Sequence, residues 1–291
     1  MAARLHTPEE VEKLVAQFHK NTKTTKISEN EWKIKLVSYS VSPISVIQNG
    51  GYVFACFIDV FDQIFGSEFR LLAATINYFA PCGEDEVVIH VEHLKHTNKY
   101  KNALAHLKIN NQLHATILVT YCHVNIKQTE EIKEIAKDFP LGITPPNIPL
   151  NECEFPWQWP GEQPQITKSI ARAWSKKTLE PKRTNYKVRH AETAGWYMLP
   201  DNYQADSKMV AFLSDATPPS IFNWTPVFGW APTISLTLYF LQPPAAGSIK
   251  KLFRLEHYIN IFQVTDGYLW DSKDNLVAVC RQVANFLPAK M

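Results

Sequence analysis

Residues 50–65 read GGYVFACFIDVFDQIF. At the helical repeat, apolar side chains fall on nearly every side of this segment. Little polar face is left for solvent, so the pattern predicts a buried helix rather than a surface one. Such a helix needs something to wrap it, and the flanking sequence offers strands. A strand-like stretch lies around 32–41 before it. After it come LLAATINYF at 71–79, EVVIHVEHL at 86–94, ALAHLKI at 103–109 and HATILVTYC at 114–122, with turns marked by Pro81, Gly83 and Asn110-Asn111. Ahead of these, residues 7–19 read as an amphipathic helix. Thr7 is its cap, Pro8 suits the first helical position, and Glu10 completes a capping box. Val11, Leu14, Val15 and Phe18 form its apolar stripe.

The same order of elements returns later. A strand-like NYKVRH precedes a helical segment around 204–215, QADSKMVAFLSD. Strands are predicted at 233–240, 252–264 and 276–286. TINYF before Pro81 matches TLYF before Gln242-Pro243, and NNQLHATILVTY matches KDNLVAVCRQVANF. The expected unit is one long helix wrapped by an antiparallel sheet, made twice and packed side by side. Domains are expected at 1–122 and 184–291. The stretch between them, 123–183, holds the short helix EEIKEIAK and seven prolines from Pro140 to Pro164, and reads as a long connection. Trp157 and Trp159 suggest that it packs on the body.

Composition bounds the function. The chain has 291 residues, 45% of them hydrophobic, enough for a substantial core. A net charge of +2 gives no footprint for nucleic acid. Five scattered cysteines without a CxxC pair point to a reducing compartment and no zinc ribbon. No apolar run approaches a membrane span, and the N-terminus lacks a secretory apolar region. His90, His93 and His96 lie in strand-forming sequence; alternation turns His93 away from the other two, which argues against a metal site. The run SKKTLEPKRTNYKVR reads either as a solvated basic linker or as a contact for phosphates. No GxSxG is present, so the serine-hydrolase elbow is absent.

Three polar residues stand in otherwise apolar settings: Asp215 in FLSDATPP, Thr233 in WAPTISLTLYFLQPP and Gln282 in NLVAVCRQVANF. Each needs a hydrogen-bond partner if buried. Taken singly, Asp215 is a carboxylate in a turn and Thr233 a β-branched strand residue. Gln282, among small apolar neighbours, is either satisfied by backbone or aimed at a ligand.

Together these segments resemble the acyl-CoA thioesterase II type, a double hotdog family. The resemblance covers most of the chain, from Gly50-Gly51 through FLSDATPP to LWDSKDNLVAVCRQ. It implies an α+β fold of two tandem hotdog domains and hydrolysis of acyl-CoA, or a related acyl thioester, to acid and thiol, with no cofactor or metal. The family's Asp, Thr or Ser, and Gln map onto Asp215, Thr233 and Gln282. Many relatives carry His-Gly-Gly before the first helix, where this chain has Asn49-Gly50-Gly51. These three are expected at the substrate, with backbone N–H groups near Gly50-Gly51 facing the oxyanion. One site per chain is expected, because the repeat aligns Gln282 with Val119, and Asp59, the rough mirror of Asp215, has no such partner.

Three alternatives remain from sequence: a 2-enoyl-CoA hydratase-like hotdog enzyme, a tailoring thioesterase of secondary metabolism, and a protein that holds an acyl thioester without turning it over. In the hydratase pattern Asp-x-Asn-Pro-x-His, Thr217 and Ser220 replace the Asn and His. A homo-oligomer is compatible with the sequence. Ala289-Lys290-Met291 resembles the small-basic-leucine peroxisomal address, which implies an import receptor as a partner, with the cytoplasm as the alternative location.

Overall fold

A computed structural model describes residues 6–37, 39–42, 45–126, 129–138, 142–154, 165–227 and 229–288. Its first helix, α1 (Pro8–Asn21), starts as its sequence dictates. The Thr7 side chain accepts from the Glu10 N–H, and the Glu10 carboxylate accepts from the Thr7 N–H at 2.7 Å. Val11, Val15 and Phe18 are buried. Strands β1 (Thr25–Lys26) and β2 (Glu31–Lys35) follow, then a small hairpin of β3 (Ser40–Ser42) and β4 (Ser45–Gln48).

The next segment is α2 (Gly50–Phe65), and every residue from Gly51 to Phe61 is buried. Full burial of a Val, Ile or Phe side chain contributes about 1.5–3 kcal/mol, so this helix anchors the core. Around it run β5 (Phe69–Tyr78), β6 (Glu86–His96), β7 (Tyr100–Ile109) and β8 (Gln112–His123). The connection contributes α3 (Glu130–Asp138), a single turn at Leu150–Glu152, α4 (Gln165–Lys168), β9 (Arg172–Trp174) and α5 (Lys176–Arg183). The second half holds β10 (Glu192–Tyr197), α6 (Ser207–Leu213), α7 (Ile221–Trp224), β11 (Gly229–Trp230), β12 (Thr233–Phe240), β13 (Ile249–Ile259), β14 (Phe262–Trp270), β15 (Leu276–Asn285) and β16 (Leu287–Pro288).

Twelve of these strands form one sheet, in the order β1-β2-β6-β7-β8-β5-β12-β15-β14-β13-β10-β9. Read outward from its middle, each half repeats the same sequence of hairpins. The halves join where β5 pairs antiparallel with β12. Both sheet edges are strands of two or three residues, too short to template another chain. The sheet curls around α2 and α6, which pack on each other, and Phe18 of α1 stacks on Phe212 at 5.0 Å. The double hotdog architecture expected from the sequence is present.

Several local expectations fail, each for a backbone reason. NYKVRH is a turn, not a strand: Asn185 and Tyr186 take φ of 49° and 60°, and the strand starts later, at Glu192. The stretch 252–264 is not one strand but parts of two. The chain reverses at Asn260 (φ 58°), and β13 pairs with β14 across the turn. The second central helix has only seven residues against sixteen in α2. Part of 123–183 belongs to the body, because β9 pairs with β10. A register shift between His93 and Lys95 brings His93 and His96 to 3.3 Å of each other, contrary to strict alternation. Trp157 and Trp159 lie outside the described residues.

Candidate active site

Helix α6 stops at Leu213, Ser214 is its C-cap, and Pro218-Pro219 prevent its continuation. Asp215 therefore sits just beyond a helix C-terminus, where the macrodipole disfavours an anion. It is aimed instead at the N-terminus of α2. The Gly51 N–H donates to Asp215 Oδ2 at 2.9 Å, and Asn49 Nδ2 donates to the same oxygen at 3.2 Å and to the Asp215 backbone carbonyl at 2.9 Å. Asn49 is also the N-cap of α2, its Oδ1 accepting from the Tyr52 N–H at 3.1 Å.

The other carboxylate oxygen faces the sheet. Gln282 Nε2 donates to Asp215 Oδ1 at 2.6 Å and to Thr233 Oγ1 at 2.6 Å. Thr233 reaches Gln282 because β12 and β15 are paired, with a register shift between Thr233 and Ser235 that advances the end of β12. Both Gln282 amide hydrogens are thereby engaged, and its Oε1 has no protein partner among the described residues. Burial pushes the Asp215 carboxyl up to about 6, against the opposing pull of the Gly51 N–H, Gln282, Asn49 and Thr233.

All three polar residues singled out in the sequence therefore meet, together with Asn49, Gly50 and Gly51. Two of the latter differ from expectation in detail. Asn49 and the Gly51 N–H are engaged by Asp215, so neither is free to face an oxyanion. The Gly50 N–H, at the first position of α2, has no partner among the described residues. Space there is tight: a Cβ on Gly50 would stand 2.8 Å from Asp215 Oδ2 and 3.0 Å from the Tyr78 hydroxyl. Tyr78 was not apparent from the sequence, where it reads as an ordinary strand aromatic. Its hydroxyl donates to the Gly50 carbonyl at 2.7 Å, fixing the glycine turn from the β5 side.

The mirror position is filled. Register equates Val119 with Gln282, since Ala74 pairs Val119 where Leu236 pairs Gln282, and Ala74 and Leu236 are neighbours of the facing Thr75 and Thr237. At that end Tyr121 and Ser207 donate to the two oxygens of Asp62, at 2.8 and 2.9 Å. Asp59 accepts from Lys208 at 2.8 Å and from the N–H and hydroxyl of Thr24 and the Gln63 amide.

A cleft of about 700 Å³ lies elsewhere. It is floored by Ala194 and Leu252 and rimmed by Lys176, Lys177 and Arg254. Alternation puts Leu252 and Arg254 on the opposite face of the sheet from Lys251, which faces the Asp215 turn. Lys177 and Arg254 are both held by Glu192, at 2.8 and 3.0 Å.

A buried carboxylate thus lies between a helix start and a strand glutamine, at the junction of the two helix-in-sheet halves of a double hotdog. Residues 38–123 match the acyl-CoA thioesterase N-terminal domain, and residues 150–286 match the acyl-CoA thioesterase C-terminal domain. The chain belongs to the acyl-CoA thioesterase family. Solved structures share the fold at low identity. A proposed thioesterase II from Thermobifida fusca superposes with a TM-score of 0.77 at 17% identity, over 93% of this chain and 97% of that one. A conserved hot dog protein of unknown function from Alicyclobacillus acidocaldarius gives 0.77 at 14%, over 94% and 99%. The acyl-CoA thioesterase II of Mycobacterium marinum gives 0.64 at 10%, over 94% and 99%. No curated protein sequence matches the chain at a significant level.

Proposed function

We propose that this enzyme hydrolyses acyl-CoA, or a closely related acyl thioester, at a single site where Asp215 is the general base. The observation that carries the reading is the buried Asp215 Oδ1, which accepts from the Gln282 amide at 2.6 Å, while the Oε1 of the same side chain has no protein partner among the described residues. A water donating to both is fixed with its lone pair outward, toward the thioester carbonyl. As the water oxygen bonds to that carbon, its proton passes to Asp215. The C–S bond then breaks, the proton goes to the departing thiolate, and the acid and thiol leave. Thr233 orients the Gln282 amide. The Gly50 N–H, at the positive end of α2, is the donor best placed for the oxyanion.

The hydratase alternative finds less support. Thr217 and Ser220 stand where that pattern needs its Asn and His, and both are engaged away from Asp215. Thr217 bonds Tyr197 and Lys251, while the buried Ser220 hydroxyl donates to the Phe253 carbonyl at 3.1 Å. A panel of acyl-CoAs of varied chain length, assayed for free thiol and in parallel for enoyl-CoA hydration, tests the reading. Thiol release that falls about 10²–10⁴-fold in Asp215→Asn is the expected result. Hydration without thiol release, or binding with neither, overturns it in favour of the alternatives. Peroxisomal import through Ala289-Lys290-Met291, which lies outside the described residues, is proposed with it. A fluorescent N-terminal fusion should be punctate and should disperse when these three residues are removed; a diffuse intact fusion removes the import proposal alone.

A further inference from the structure

Beneath the turn that carries Asp215 lie two cations that the hydrolytic reading does not use. Arg172, on β9, and Lys251, on β13, are 2% and 0% exposed. No carboxylate pairs with either among the described residues, and Arg172 Nε has no hydrogen-bond partner. Burying unpaired charge is expensive. Burial pushes the Lys251 amine well below its ordinary range, and brings Arg172 down to about 10. The Lys251 nitrogen sits 3.7 Å and 3.9 Å from the ring centres of Trp174 and Tyr197, boxed in by aromatics.

What these groups touch is the turn. Arg172 donates to the carbonyl of Ala216, the residue directly after Asp215, at 3.0 Å. Lys251 donates to Thr217 Oγ1 at 3.1 Å. Tyr197 donates to the Leu213 carbonyl at 2.8 Å, which leaves its oxygen to accept from Thr217. The donors therefore run one way, from Lys251 through Thr217 and Tyr197 to the end of α6. The Cys280 thiol touches the Ser214 carbonyl at 3.6 Å from β15. Residues 213, 214, 216 and 217 are each clasped, and only the Asp215 side chain projects away, toward Gly51 and Gln282.

We propose that Arg172 and Lys251 are positioning residues of the thioesterase reaction, holding the 213–217 turn so that both Asp215 oxygens meet their donors. The proposal rests on Asp215 being the base. Neither cation reaches the reacting atoms; each acts through the backbone or through Thr217. The segment joining the two halves thereby supplies part of the active-site support through Arg172.

The test uses the full chain with Arg172→Met, Lys251→Met and Thr217→Val, the last removing the relay while keeping both basic side chains in place. Thermal melting shows which variants are folded. In these, kcat for an acyl-CoA should fall about 10- to 100-fold with KM little changed, because a small displacement of the base costs turnover rather than affinity. Arg172→Lys should recover part of the loss. Titration of the Asp215 carboxyl by carbon-13 NMR, assigned by its loss in Asp215→Asn, should show a shifted midpoint. Tyr78, Cys280 and Tyr197 are the titratable groups facing Asp215 from β5, β15 and β10, and none changes charge in these variants at neutral pH. Folded variants with unchanged kcat and an unchanged Asp215 midpoint overturn the proposal. If the wild-type chain releases no thiol, the hydrolytic reading fails, while the NMR midpoint still reads the clasp on its own.

Discussion

Thr75 and Thr237 face each other in register at the middle of the sheet, their hydroxyl oxygens 3.0 Å apart. Each is the first residue of the motif that repeats between the halves, TINYF and TLYF. The pseudo-twofold axis therefore passes between a residue and its own counterpart. From that one contact the rest of the pairing follows, and so does the asymmetry: Gln282 lies where the other half has Val119.

With Asp215 as the proposed base, burial of its carboxyl should set the acid limb of the activity. A general base works ionised, so turnover should rise with pH and reach half its plateau near the pH where Asp215 titrates, about 6. The same shift acts on stability with the opposite sign. The folded group binds its proton more tightly than the unfolded one, so its ionisation costs nothing below about pH 3.8 and the full amount above about pH 6. That cost is on the order of 1–3 kcal/mol. Asp215→Asn should therefore melt higher than wild type at pH 7.5, with the gap closing toward pH 4. Asp62, also raised to about 6 by burial, gives the same slope in both proteins and cancels in the comparison. An equal gap at both pH values would show that Asp215 is not the source.

Gln282→Ala removes one of the two acceptors proposed for the water and the donor to Asp215 Oδ1. Turnover should fall by about 10²-fold, the scale of a lost orienting contact, with KM within a few-fold of wild type. Losing the donor should also lift the acid limb. A variant that changes KM alone would place Gln282 at the bound substrate rather than at the water.

The two glycines should separate cleanly. A Cβ on Gly51 would lie 2.5 Å from the Phe212 carbonyl, a backbone atom that cannot move aside. Gly51→Val should therefore loosen the contact between α2 and α6 and lower the melting temperature by several degrees. On Gly50 the nearest atoms belong to the Asp215 and Tyr78 side chains, so Gly50→Ala should remain folded and lose turnover. Calorimetry and thiol release on the two proteins decide this. The reverse pattern would remove Gly50 from the site.

Asp59→Asn should damage stability and leave chemistry nearly intact. It breaks a buried contact to Lys208 that joins α2 to α6, with a cost on the order of 3–5 kcal/mol because the ammonium is left without its partner. Folded Asp59→Asn and Asp215→Asn proteins with equal loss of turnover would instead argue for two working sites.

The sequence makes the buried helix readable because its apolar residues leave no polar side, and Thr7, Pro8 and Glu10 announce α1 without tertiary help. The candidate site was partly readable because Asp215, Thr233 and Gln282, which the fold brings together, are polar against apolar surroundings. What sequence hides here is backbone geometry without glycine. Asn260 turns the chain inside LEHYINIFQV, and Asn185-Tyr186 do so in NYKVRH, all with positive φ. The register shifts at Thr233 and at His93 are equally silent, since each breaks an alternation that looks regular in one dimension. Arg172 and Lys251 look like surface charges beside other basic residues. Only the fold shows that β9 and β13 turn them inward.

The junction at β5 and β12 has a consequence for how the enzyme behaves on dilution. Gly50, Gly51 and Tyr78 come from one half, and Asp215, Thr233 and Gln282 from the other. Were the halves separate subunits, the proposed site would exist only above their dissociation constant, and each free half would expose a long central strand. With both on one chain, the local concentration of each half around the other is set by tethering rather than by the amount of protein present. Specific activity should stay constant down to the lowest concentration at which the chain remains folded.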